Sequence, residues 1–174
     1  MKNLLVLIQL FIAIPMFSQS ISKLDSTLWH NNYNRALEVA KSENHPILIV
    51  FSGSDWCKPC IKLREQILVK PEFSNWAKDN VVCVTADFPK QKKNALSQLQ
   101  QKQNDALAEK FNPNGVFPLV IVINSNEKVL GFKTFEDVTP EQFTKELMEL
   151  INKNNYEEDS FLTYSFTYIS NCKL

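Results

Sequence analysis

Two periods of apolar and polar residues divide this chain into elements. From Leu28 to Lys41 the apolar positions Trp29, Tyr33, Ala36, Leu37 and Ala40 recur at helical spacing, which predicts an amphipathic helix. Residues 21–27 before it read as a loop or a short first strand. Asn44-His45-Pro46 ends the helix, because proline disfavours helix at the residue preceding it. Ile47 to Phe51 then runs without polar alternation, as a strand covered on both faces does. A second helix starts at Cys57 and carries Ile61, Leu63, Ile67 and Leu68. Pro59 falls in its first turn, where a missing N–H costs little, and Lys70-Pro71 ends or kinks it. Glu72 to Asp79 makes a further helical piece with Phe73, Trp76 and Ala77 on one side.

Val81 to Phe88 is a β-branched, apolar strand. Residues 89–110 are long and polar, but Ala95, Leu99, Ala106 and Leu107 keep rough helical spacing. This segment reads as a loop and then a mostly exposed helix ending near Phe111. Asn112-Pro113-Asn114-Gly115 is a turn. Leu119 to Ile123 is a strand, Ser125-Asn126-Glu127 a tight turn, and Lys128 to Phe135 the antiparallel partner. Thr139-Pro140-Glu141-Gln142 has a cap, a first-turn proline and a glutamine at the third position, the signature of a helix start. Phe143, Leu147, Leu150 and Ile151 form that helix's apolar face.

Strands separated by helices imply parallel pairing with right-handed crossovers, and the closing hairpin adds antiparallel strands. The expected class is α/β: a central mixed β-sheet flanked by helices on both faces. Length and composition suit one domain with a real core, since 174 residues carry 44% hydrophobic and 22% charged positions. With 19 basic and 19 acidic residues the net charge is zero, which lacks the basic excess of a nucleic-acid footprint.

The ends read differently from the middle. Met1-Lys2-Asn3, the apolar run Leu4 to Ile14, Pro15 and then Ser18-Gln19-Ser20 form a secretory signal-peptide pattern, too short to span a bilayer comfortably. The expected layout is a signal peptide at 1–20, a domain at 21–153 and a tail at 154–174 of uncertain structure. In the tail Leu162, Tyr164, Phe166 and Tyr168 alternate with Thr163, Ser165 and Thr167 as a strand would.

Export to an oxidising compartment changes how the four cysteines, Cys57, Cys60, Cys83 and Cys172, are read. Trp56-Cys57-Lys58-Pro59-Cys60 lies at a strand-to-helix junction. The partial positive charge and unpaired N–H groups of a helix start favour Cys57 as thiolate, the reactive form. A bridge across two residues closes too small a loop to stabilise much, so redox chemistry explains the pair better than stapling. Half a zinc site is the third reading, but it needs a second close pair, and Cys83 and Cys172 stand far apart. Cys83, mid-strand among valines, reads as a small buried hydrophobe. Cys172 is either an intermolecular disulfide partner or a free terminal thiol. His30 and His45 read as surface or helix-end residues.

The dithiol after a buried strand, Asn114-Gly115-Val116-Phe117-Pro118 before the strand at Leu119, and the closing hairpin and helix together resemble the thioredoxin-like superfamily over roughly residues 27–153. Trp29…Tyr33…Ala36-Leu37…Ala40…Pro46, followed by Gly53-Ser54-Asp55-Trp56-Cys57, is similar to exported bacterial proteins of the thiol:disulfide interchange type. The resemblance implies a thiol–disulfide oxidoreductase acting on protein disulfides in the periplasm, or secreted. It implies no bound cofactor and no metal, and a redox partner protein that supplies or accepts electrons. Cys57 would be the nucleophile, more exposed than the resolving Cys60. Pro118 would be a cis-proline shaping a substrate groove, with Trp56 and Phe117 bordering it. Lys58 and Pro59 would tune the pair, Pro59 matching reducing relatives. Asp55 is either a third tuner or a solvated loop acid. The family's buried acid, six residues before the first cysteine, is replaced by Phe51, leaving Asp55 or Glu65 as substitutes. Phe51 and the extra tail motivate the alternative of a peptide-binding module with little redox turnover.

Overall fold

A computed structural model of the chain describes residues 24–153. The signal-peptide pattern and the tail with Cys172 lie outside the described residues.

Among the described residues the sheet holds five strands in the order β1-β3-β2-β4-β5: β1 Trp29–His30, β2 Ile47–Ser52, β3 Val82–Asp87, β4 Leu119–Ile123 and β5 Val129–Lys133. The helices are α1 Tyr33–Glu43, α2 Lys58–Leu63, α3 Pro71–Asn80, α4 Gln98–Phe111 and α5 over 140–153. A π-helical turn, Arg64–Leu68, follows α2 directly, and a short 3₁₀ turn, Lys92–Asn94, precedes α4. Among the described residues no helix is long and apolar enough to cross a membrane.

The sheet divides the core into two layers. On one side Ile47, Ile49 and Phe51 of β2 pack with Val82, Val84 and Ala86 of β3 against α1 and α4. On the other, Leu48 and Val50 pack with Cys83 against Leu63, Ile67 and Phe73, and against Phe143 and Leu147 of α5. Every residue from Ile47 to Phe51 is buried, as the uninterrupted apolar run requires of a central strand. Each fully buried side chain of that size contributes about 1.5–3 kcal/mol.

One expectation needs correction. Trp29 has helical spacing relative to Tyr33 and Ala36, yet Trp29–His30 is a strand paired parallel to β3 at Cys83 and Val84. The helix starts only at Tyr33, where the Asn32 side chain caps it by accepting from the Arg35 N–H at 3.0 Å. Trp29 is core for a different reason: its ring stacks on Phe73 at 6.1 Å in the α3 layer.

β4, the first arm of the closing hairpin, runs antiparallel to β2, with Phe51 opposite Leu119 and Ile47 opposite Ile123. This direction matters for the site. It sets the start of β4 beside the end of β2, where the dithiol loop begins. Parallel pairing would have put it at the far end, about 17 Å away at the rise of a strand.

Candidate active site

The site is built where β2 ends. Gly53 to Trp56 turn the chain, with Cys57 N–H donating to the Gly53 carbonyl at 2.9 Å. Cys57 then caps α2, its sulfur accepting from the Cys60 N–H at 3.2 Å. Cys57 and Cys60 are joined by a disulfide, with Cα atoms 5.2 Å apart. Both are buried, at 5% and 3% exposure, so in the oxidised pair Cys57 stands barely nearer solvent than Cys60. Lys58 and Pro59 occupy the first two helical positions and are exposed. Gly53 is required by a close approach: a Cβ there would lie 2.3 Å from the Trp56 ring.

Beside the dithiol the structure assembles aromatic rings from three segments. Trp56 and Phe117 meet edge to face at 5.5 Å, and Phe117 meets Phe88 likewise at 5.5 Å. The Trp56 indole N–H donates to the Phe88 carbonyl at 2.7 Å, and Lys90 Nζ lies 4.0 Å over the Trp56 ring. Phe117 thus sits between two rings, and Trp56, at 37% exposure, is the more open of the pair. The Phe117–Pro118 peptide bond is cis. The loop leading to it is held by Asn112, whose side chain donates to the Val116 carbonyl and accepts from the Val116 N–H, each at 2.9 Å. Gly115 in that loop has φ +61°, a conformation that favours glycine.

The acid question resolves through the faces of the sheet. Phe51, the residue six before Cys57, points into the α1/α4 layer, away from the helix that carries Cys60. The neighbouring β2 residues Val50 and Ser52 line a cavity of about 580 Å³ together with Cys60, Leu63, Arg64, Thr85 and Asp87. Among the described residues Asp87 is the one carboxylate lining this cavity. Its carboxylate accepts from the Ser54 N–H at 2.9 Å and the Ser54 hydroxyl at 2.5 Å. Arg64 is one helical turn beyond Cys60, its backbone N–H donating to the Cys60 carbonyl.

Neither acid named from the sequence occupies this position. Glu65 is exposed and pairs with Arg64 at 3.4 Å. The carboxylate of Asp55 accepts from the backbone N–H groups of Lys90 and Gln91 and from the Asn94 side chain, each at 2.9 Å. These hydrogen bonds, that from Lys90 foremost, hold its carboxyl below the ordinary value. Asp55 therefore fastens the 88–94 segment to the dithiol loop. Cys83 is free and fully buried in β3, and burial pushes its thiol well above the ordinary value.

Of the residues singled out from the sequence, Asp55, Trp56, Cys57, Lys58, Pro59, Cys60, Phe117 and Pro118 gather at one end of the sheet. Phe88, Asp87, Ser54, Lys90 and Asn112 join them there, residues to which the sequence assigns no site role of their own. Asp87 carries a local signal, as the one charged residue of a mostly apolar strand, while Phe88 and Lys90 merely follow it in sequence.

Comparison with known proteins bears on this geometry. A thioredoxin-like family model matches residues 28–125. Thioredoxin-related protein DsbJ of Chlamydia pneumoniae is 28% identical over 177 aligned positions, all of this chain and 49% of that protein. Disulfide bond reductase DsbH of Chlamydia pneumoniae is 36% identical over 111 positions, 64% of this chain and 65% of that protein. The chain thus spans less than two thirds of the length of either relative. A solved structure of a DsbH oxidoreductase superposes with a TM-score of 0.65 at 28% identity, covering 75% of this chain and 91% of the other. A sheet with this strand order, a Cys-Lys-Pro-Cys disulfide opening α2 and a family match across more than half of the residues lead to one assignment: the chain belongs to the thioredoxin-like family.

Proposed function

We propose that the protein is a thiol–disulfide oxidoreductase that reduces or exchanges disulfides of exported polypeptides. The observation that carries this reading is the Cys57–Cys60 disulfide at the start of α2, beside the Trp56 and Phe117 rings. The name of the relative DsbH, a disulfide bond reductase, points the same way. Export rests on the signal-peptide pattern of residues 1–20, which sets the start of the domain at 21 in the layout of a domain at 21–153 and a tail at 154–174.

In the reducing direction Cys57 acts as a thiolate, favoured by the Cys60 N–H that its sulfur accepts and by the charge of neighbouring Lys58. It attacks one sulfur of a substrate disulfide. A Cys57–substrate bond forms, and the other substrate sulfur leaves as a thiolate that takes a proton. Cys60 then loses its proton and attacks the Cys57 sulfur. The Cys57–Cys60 bond forms, and the second substrate sulfur leaves and is protonated. Two electrons have passed to the substrate, and a partner dithiol restores the reduced pair. Asp87, which lines the same cavity as Cys60, is the proton acceptor for the second step. Trp56, Phe117 and Pro118 border the substrate, and Pro59 helps set the potential. The binding-module alternative drew on Phe51, whose side chain faces the other layer of the core.

Insulin reduction in the presence of dithiothreitol tests the reading. The wild-type protein is expected to accelerate precipitation of the insulin B chain, and Cys57→Ser to abolish the acceleration. Equal rates for the two proteins would refute it.

A further inference from the structure

The chain is neutral overall, yet its charge is not evenly spread around the dithiol. Lys58 follows Cys57 directly, and Lys90, Lys92 and Lys93 stand on the segment that Asp55 fastens to the dithiol loop. All four are exposed, and none forms an ion pair among the described residues. Asp55 offsets one of these four charges and leaves an excess of three. Its carboxylate oxygens are occupied by the Lys90 and Gln91 N–H groups and the Asn94 amide. On the adjoining helix, Lys102 and Asp105 line the shallow cleft against Pro89 and Leu96, and their charges offset each other. Asp87 lines the cavity that Cys60 shares and is bonded to Ser54.

The same rim is apolar as well as cationic. Trp56 and Val116 are 37% and 40% exposed, and the Lys90 ammonium lies over the Trp56 ring. The segment that carries the lysines is positioned rather than loose: besides the Asp55 bonds, the Trp56 indole N–H reaches the Phe88 carbonyl. An aromatic platform with a fixed cationic edge complements a chain that carries an apolar residue beside its cysteine and carboxylates flanking it.

We propose that the preferred substrates are polypeptide disulfides in acidic sequence, with Lys90, Lys92 and Lys93 as the specificity rim and Asp55 as the clamp that holds it in place. This rests on the oxidoreductase reading and adds the substrate class to it. Because the rim acts through charge, its effect falls mainly on encounter and binding, and salt weakens it.

The test compares two peptide disulfides of equal length, one with Asp and Glu around the cysteines and one with Lys, and uses neutral hydroxyethyl disulfide as reference. Wild-type protein is expected to favour the acidic peptide in kcat/KM by about tenfold at low salt, the lower end of what a charged cleft does for association. The ratio should fall toward one in about 1 M salt, where the screening length is about 3 Å. In Lys90→Gln/Lys92→Gln/Lys93→Gln the preference should be lost. Asp55→Asn should reduce it with all the lysines present. Each ratio is measured within one preparation, so a difference in folded fraction cancels.

Equal kcat/KM for the two peptides, with the neutral disulfide turned over, overturns the rim and leaves the oxidoreductase standing. If no disulfide is turned over, the oxidoreductase reading fails, and the rim is judged by binding. Tryptophan fluorescence is then titrated with cysteine-free forms of both peptides. A lower midpoint for the acidic form, lost in the triple variant, upholds the rim, and equal midpoints overturn it.

Discussion

Cys60 needs a base before it can resolve a mixed disulfide, because a thiol is a poor nucleophile until it ionises. At 3% exposure it has little direct access to water, so the groups lining its cavity decide the matter. Val50, Ser52, Leu63 and Thr85 cannot accept a proton at neutral pH, and Arg64 is already a cation, so the carboxylate of Asp87 remains. Asp87→Asn keeps an acceptor for Ser54 and removes the base. In single-turnover experiments it should slow release of the second substrate thiol by about a hundredfold, the lower end for a positioned base. Attack by Cys57, followed as release of the first thiol, should change much less. A second-step rate equal to wild type would exclude Asp87 from the proton route. Counting six residues back from Cys57 leads to Phe51, but side chains of a strand alternate between faces, and the β2 positions on the Cys60 side are Val50 and Ser52. A shift of one residue moved the expected acid to the wrong side of the sheet.

Between the elements, two connections carry more than their sequences suggest. The loop from α4 to β4 reads as a turn, but buried Asn112 holds both backbone groups of Val116 and so fixes the approach to Pro118. Asn112→Ala leaves those groups without their partners and should cost about 1–3 kcal/mol in denaturant stability. It should also raise KM in the insulin assay, since the loop borders the dithiol. An unchanged KM would mean that the loop holds its shape without the clamp.

The β4–β5 turn places Glu127 at φ +64°, an unfavourable conformation for a residue with a side chain. Its carboxylate is offset by the Lys110 ammonium at 2.8 Å and the Tyr33 hydroxyl at 2.6 Å. These two donors, Lys110 first, hold the Glu127 carboxyl below its ordinary 4.5. A lowered carboxylate contributes stability that is present above the unfolded value and lost as pH falls through the folded one. The difference in unfolding midpoint between wild type and Glu127→Gln should therefore be full at neutral pH and should shrink as pH drops below about 4.5. A difference that stays constant on acidification would show that ionisation of Glu127 does not contribute.

At the scale of the whole molecule, stability should follow position in the sheet. β2 lies at the centre, bonded to β3 on one side and β4 on the other, with apolar layers on both faces. Among the described residues β5 is the outermost strand, with Val129 and Phe132 exposed. In hydrogen exchange the amides of Leu48 to Phe51 should open only with global unfolding, while those of β5, outermost among the described strands, should exchange at least about tenfold faster. Comparable protection in both strands would contradict a core centred on β2. The dithiol gains from this arrangement: its helix starts at the end of the most protected strand, while the rim around it comes from loops.

Local pattern determined most of the elements. An apolar run of five residues, a cap followed by proline, and a Cys-x-x-Cys at a junction act within a turn or two of chain, so β2, α3, α5 and the dithiol are legible from residue order alone. The mixed sheet with helices on both faces follows from the order of those elements. Pairing lies beyond that reach. Trp29 fits a helix by spacing, but its backbone groups bond to β3, more than fifty positions on in the chain. The reversed direction of β4, which brings Phe117 to Trp56, depends on where α4 packs and how Asn112 turns the chain. The joining of Asp87 to Ser54, of Asp55 to Lys90 and of Phe88 to Trp56 spans more than thirty residues in each case. No short-range signal encodes such contacts, because they are selected by the sheet register and by which face of each strand meets the core. Residue order alone places a reactive pair at a helix start, whereas the acid, the rings and the lysines around it are selected by long-range packing.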